Sequence, residues 1–165
     1  MATARVACGA VTARDIDRRG IDQRATAAAL FHEVWELLDQ ADRDPADDDR
    51  LVHMAHASRF HWGEVGRPVN VVRGEWQCSR VYAALGRPEA ALHHAQRALQ
   101  LCREHGIVDF DLAYCYEGLA RASAVAGDAA GRDRWLAEAR AAVAGVSDDD
   151  DRDLVLRDLA TVPPA

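Results

Sequence analysis

The stretch from Trp76 to Leu99, WQCSRVYAALGRPEAALHHAQRAL, holds two runs of helical periodicity separated by Gly86-Arg87-Pro88. Glycine closes a helix because it takes a left-handed backbone without steric cost. Proline suits the first turn of the next helix, where its missing N–H would have had no partner. The stretch therefore reads as a helix hairpin. Gly66-Arg67-Pro68 precedes it with the same punctuation, and Gly127-Asp128 follows 41 residues after Gly86. Under that shift Arg80 falls on Arg121, Cys78 on Leu119, Ser79 on Ala120 and Ala98 on Ala139. A period between roughly 20 and 50 residues marks stacked supersecondary units.

Working outward, the pattern predicts helices over 25–42, 46–65, 67–85, 87–105, 108–126 and 129–144, and a seventh over 148–161. The first carries Leu30, Phe31, Val34, Trp35, Leu37 and Leu38 as its stripe, and the second Leu51, Ala55, Ser58 and Trp62. Asp148 to Asp151 follow Ser147, an N-cap with carboxylates at the positive end of a helix, and read as a helix start rather than a metal loop. Residues 1–22 mix glycine with charge and hold no period, so they read as a flexible N-terminal arm. The predicted fold is all-α. Antiparallel hairpins 25–65, 67–105 and 108–144 stack in one domain, 23–165, closed by a capping helix.

The segment from Trp76 to Leu99 resembles a tetratricopeptide repeat. In that family a tyrosine lies four residues before the turn glycine, small residues sit where paired helices touch, and an alanine follows the glycine by five. Tyr82, Ser79, Ala91 and Ala98 match; in the second copy Tyr116, Leu119, Ala120 and Ala139 do. Ser123 replaces the tyrosine there, Arg132 takes the alanine position, and the 41-residue period exceeds the familiar 34, as in long-helix variants. The resemblance covers about 67–145, with 25–65 as a degenerate first hairpin. It implies a short α-α superhelix and a binding role.

In such arrays the first helix of each pair lines the concave surface through a stripe spaced i, i+3, i+7. Counting back from the turn glycines puts Arg73, Trp76 and Arg80 in that stripe of one repeat, and Tyr114, Glu117 and Arg121 in the next. Val72, Cys78, Ser79, Tyr82 and Leu85 already supply the core face of the third helix, so a second face bearing Arg, Trp and Arg asks for another use. The arginines offer forked donors to a carboxylate or phosphate, and the aromatics offer flat apolar walls. The plain alternative is a Glu117–Arg121 pair at i, i+4 with the other arginines solvated. Arg59 would face inward on the second helix and need a carboxylate, for which Glu75 is the candidate; with His56 these form a possible polar pocket.

Composition removes several classes. A net charge of -7 and a pI near 5.4, with arginines scattered along helices, disfavour nucleic acid and anionic membranes. Cys8, Cys78, Cys102 and Cys115 lack a CxxC spacing, and no secretory leader opens the chain, so the expected setting is cytoplasmic with reduced thiols. Seven histidines include His53, His56 and His61 on one helix and His93 and His94 on another, with His53 expected to stack over His93. His53 and His56, at i and i+3, could share one ion, but without ExxH or HExxH the histidines read first as surface or packing residues and no metal is assigned. No P-loop, GxSxG or dinucleotide fingerprint is present, so no cofactor is expected and no catalytic residue can be singled out.

The leading expectation is a non-catalytic interaction module that holds an acidic peptide or protein partner in the Arg and aromatic groove. The alternative is a small helical enzyme or ligand-binding protein acting on an anionic small molecule in the same cavity. A homodimer through Trp135 or the Ala-rich faces of the last two helices is a third.

Overall fold

The computed structural model describes residues 21–165, and among them it is helical throughout, with no strand. The helices are α1 Gln23–Leu38, α2 Pro45–Val65, α3 Pro68–Ala84, α4 Pro88–Glu104, α5 Phe110–Val125, α6 Ala129–Val143 and α7 Asp149–Leu159. The expected arm, residues 1–22, and Cys8 lie outside the described residues, apart from Ile21 and Asp22; the Asp22 carboxylate caps α1 by accepting from the Ala25 N–H at 2.9 Å.

Helix ends follow from local chemistry. At Gly86 and Gly127 the backbone turns left-handed, with φ of 65° and 72°. The next amides, of Arg87 and Asp128, reach back to the carbonyls of Tyr82 and Ser123 at 2.9 Å, satisfying groups the helix ends leave open. Helix α1 stops at Leu38, short of the expected 42, because the Arg43 guanidinium donates to the carbonyls of Leu38 at 2.9 Å and Gln40 at 2.8 Å. At α7 the N-cap is Asp148, which accepts from the Asp151 N–H at 3.0 Å, and not Ser147. Ser147 donates through its hydroxyl to Asp109 Oδ2 at 2.8 Å and so ties the start of α7 to the start of α5.

Helices α1 and α2, α3 and α4, and α5 and α6 form the three hairpins, which stack through α2 on α3 and α4 on α5. A second set of contacts, α1 on α3 and α3 on α5, lines up the first helix of each hairpin in one layer, and α7 folds back onto α5 and α6. Small residues set the spacing. Ala91, Ala95, Ala98, Ala113, Ala120 and Ala139 are all fully buried and let backbones approach closely. Two buried serines among them are satisfied across helix pairs: Ser58 donates to the Ala27 carbonyl at 2.8 Å and Ser79 to that of Ala91 at 2.9 Å. Trp135, considered for a dimer contact, is half-buried; it stacks on Tyr116 at 5.9 Å with Arg134 over its ring at 4.4 Å.

Gly74 marks a close approach of α3 to α2. A Cβ there would stand 2.9 Å from Arg59 Cδ and 3.3 Å from Arg59 Cα, and the backbone atom cannot swing away. Gly74→Ala is therefore expected to destabilise by about 1–3 kcal/mol through overpacking, despite alanine's better helix propensity. Urea denaturation checks this; a gain in stability would show that the two helices separate freely.

Candidate binding cleft and histidine cluster

The layer of first helices carries an aromatic ladder. Trp35 of α1 lies 5.3 Å, ring centre to ring centre, from Trp76 of α3, and Trp76 lies 4.7 Å from Tyr114 of α5, which meets Phe110 at 4.7 Å. Trp35 stands 41 residues before Trp76, so the repeat extends into the first hairpin. The sequence reading placed Trp35 only in an apolar stripe, although its spacing already carried that signal.

The six residues expected to face the groove do lie together, but mostly inside the protein. Trp76, Tyr114, Glu117 and Arg121 are 4%, 3%, 0% and 9% exposed. Glu117 is the hub: its Oε2 accepts from the Trp76 indole N–H at 3.1 Å, and its Oε1 from Arg80 at 3.0 Å and from Arg121 Nε at 2.7 Å. Gly118 makes room for this, since a Cβ there would stand 3.1 Å from Trp76 Cδ1. The Glu117–Arg121 pair at i, i+4 is thus present, but Arg73 and Arg80 are ion-paired too rather than solvated. Arg73 binds Asp111 with two hydrogen bonds of 2.6 and 3.0 Å. Burial opposes its charge, yet the Asp111 bonds outweigh burial and raise its pKa. Around this pair the free space is about 10 Å³, barely one water.

The end of α7 and the residues after it cover part of this layer at α5. Tyr114 donates to Asp158 Oδ2 at 2.8 Å. Burial, and then Asp158, push its pKa up, which keeps the phenol a donor. Arg121 donates to the carbonyls of Asp158 and Thr161 at 3.2 Å and to the Thr161 hydroxyl at 2.8 Å. Sequence reasoning missed Asp158 and Thr161, because nothing periodic links them to α5.

What stays open is a cleft of about 310 Å³ bounded by Trp35 and Leu38 of α1, Arg80 of α3, Arg121 of α5, and Thr161 and Pro163 beyond α7. Arg80 and Arg121, both in its lining, share the single Glu117 carboxylate, and Asp39 stands exposed on its rim. Arg80 spends one nitrogen on Glu117 and keeps 23% of its side chain exposed. The Trp35 indole N–H is buried and has no hydrogen-bond partner among the described residues.

A second polar cluster lies on the other edge of α3. Arg59 donates from Nε to Glu75 Oε1 at 2.8 Å, the partner proposed for it from sequence, and His94 Nδ1 lies 2.7 Å from Glu75 Oε2. Burial works against the Glu75 charge, but the hydrogen bonds from His94 and Arg59 hold its carboxyl below the usual value. His56 Nε2 is 2.9 Å from the Tyr82 hydroxyl, whose ring stacks on His94 at 5.6 Å. The rings that meet across helices are His56 and His94, at 5.2 Å. His53 and His93, expected to stack, are both exposed.

Acid should loosen this edge in two stages. Desolvation, then the neighbouring His94, lower the His56 pKa below 6.5, so between 6.5 and that lowered value the unfolded chain binds more protons than the folded one. Stability is therefore lost as pH falls through that window. A second loss begins below about 4.5, where protonating Glu75 removes the acceptor for Arg59 and His94. His56→Phe should flatten the first stage and leave the second. Melting temperatures from pH 7.5 to 3.5 test it, and an unchanged upper slope would place the proton uptake elsewhere.

No family model matches the chain, nor does a curated protein or a solved structure.

Proposed function

We propose that this chain is a tetratricopeptide-like binding module that receives one acidic group of a peptide or protein partner in the cleft beside Arg80. The observation that carries the reading is the shared carboxylate: two guanidinium groups on the one Glu117 leave Arg80 with unspent donors in a recess walled by Trp35 and Leu38. A carboxylate beside an apolar side chain satisfies both features. Arg73, Trp76, Tyr114, Glu117 and Arg121 then act as the scaffold that holds Arg80 and the cleft wall in place, rather than as contacts along a trough. No helix among the described residues is long and apolar enough to cross a membrane. The reading places the protein in the cytoplasm, where its free cysteines Cys78, Cys102 and Cys115 stay reduced.

The size of the cleft favours a second reading. About 310 Å³ accommodates one or two residues or a whole small metabolite, and lies at the lower end of small-molecule sites. The rival is thus an anionic small molecule bound at the same place.

One experiment separates the two. Tryptophan fluorescence, with Trp35 as the reporter in the wall, is followed while the protein is titrated with an array of short Asp- and Glu-containing peptides and with a panel of mono-, di- and tricarboxylates and phosphate. Peptide binding that weakens at least tenfold in Arg80→Ala supports the module, and binding confined to the small anions supports the rival. No response from either set, or equal affinity in Arg80→Ala, removes both.

A further inference from the structure

The cluster on the far edge of α3 lies outside the cleft, and its geometry has its own use. His94 is held at Nδ1 by Glu75, and Glu75 is held by Arg59, at 2.7 and 2.8 Å. A carboxylate only accepts, so Nδ1 carries the proton and the lone pair is left on Nε2. The His94 side chain is 15% exposed and borders the surface depression formed by Arg87, Glu89 and His93 at the start of α4. This is how proteins prepare an imidazole for a Lewis acid: a buried carboxylate fixes the tautomer and the ring plane and raises the basicity of the other nitrogen.

A second imidazole lies beside it. An ion about 2.0–2.1 Å from a nitrogen of each of two imidazoles lies roughly 3.2 Å from each ring centre, and at a tetrahedral angle the centres are then about 5.2 Å apart. His56 and His94 are 5.2 Å apart, at an interplanar angle of 66°. His93 lies 5.1 Å from His94, and His53 is one turn before His56 on the same helix. Among the described residues no three ligating groups already surround one point, so an ion here would complete its shell with water or with an exposed histidine that swings in.

We propose that a borderline divalent transition-metal ion of the zinc, nickel or copper class binds between His56 of α2 and His94 of α4, with Glu75 as the residue that orients His94. The ion bridges the first and second hairpins, adding to the packing of α2 on α3. It replaces the weaker hold that the Tyr82 hydroxyl has on His56. Hard ions such as magnesium are excluded by the all-nitrogen set, and copper binds tighter than zinc or nickel on the general order of affinities.

The test is isothermal titration of the full chain with Zn2+, Ni2+, Cu2+ and Mg2+ at pH 7.5. One transition ion per chain is expected, with no heat from Mg2+. His56→Ala and His94→Ala should each weaken Zn2+ binding at least tenfold, Glu75→Gln by about 10- to 100-fold, and His105→Ala not at all. Melting temperatures in EDTA confirm that each variant is folded. As a second readout, the Cu2+ complex should show imidazole nitrogen couplings in its electron spin resonance spectrum that diminish in His94→Ala. The proposal is overturned if no transition ion binds, if His56→Ala and His94→Ala bind as the wild type does, or if His105→Ala weakens binding as much as they do.

Discussion

Replacing Glu117 with alanine is expected to lower the unfolding free energy by roughly 3–5 kcal/mol, the range for removing one partner of a buried ion pair. The size follows from what is left behind. Glu117 is fully buried and is the acceptor for Arg80, Arg121 and the Trp76 indole. Without it two guanidinium groups face each other in a confined site, and the Trp76 N–H loses its partner. Glu117→Gln should cost less, because the amide oxygen still accepts from one donor while the charge is lost. Removing Arg80 as well, in Glu117→Ala/Arg80→Ala, should recover part of the loss, since the repulsion between the guanidinium groups disappears. Equilibrium denaturation of these variants and of Arg80→Ala alone completes the double-mutant cycle. A cost below about 1 kcal/mol for Glu117→Ala would mean that water enters the site freely and that the network is an ordinary surface ion pair.

The second large effect is expected from the return of α7. Val155 and Leu159 are its buried residues, at 0% and 5% exposure, and they belong to the core formed by α3 to α6. Val155→Ala/Leu159→Ala should cost about 3–6 kcal/mol in all if α7 unfolds together with the rest, from lost burial plus the cavities left behind. The loss should not be uniform, because α7 lies at the end of the stack and touches only α5 and α6. Local opening is therefore expected ahead of global melting. Hydrogen exchange should show protection lost first over residues 149–161, with Tyr114 and Arg121 becoming accessible as their partners Asp158 and Thr161 leave. Uniform loss of protection along the whole chain would show instead that α7 is inseparable from the hairpins. On the proposed function, release of α7 also removes Thr161 and Pro163 from the cleft wall. A longer acidic peptide should then bind where the wild-type cleft of about 310 Å³ admits one or two residues.

Placement of the candidate site was legible wherever it follows the repeat. Residues one period apart lie on neighbouring first helices, so Trp76 meets Glu117 at a separation of 41, while Arg80 meets Glu117 at 37 and Arg73 meets Asp111 at 38, one turn short. Counting from the turn glycines found the arginines and aromatics of this layer and left out Asp111, which lies one turn before Tyr114. The same counting mistook a bonded seam for an open surface. A stripe of Arg, Trp and Glu has the same sequence signature whether it meets a ligand or its own equivalents on the next helix.

The sequence by itself determined the all-α class, the seven helices and the turns between them, because these rest on local matters: glycine's left-handed backbone at Gly86 and Gly127, aspartates at N-caps, and the 3.6-residue period of apolar side chains. The pairing of Arg59 with Glu75 was also within reach, since an arginine on an inward helix face needs a carboxylate nearby. Only the tertiary structure decided that α7 folds back over Arg121 and Tyr114, that His56 rather than His53 meets a histidine of α4, and that a cleft of limited volume remains at Arg80. Each depends on the angle at which non-repeating elements cross, and that angle is set by how alanines, glycines and large rings fill space together.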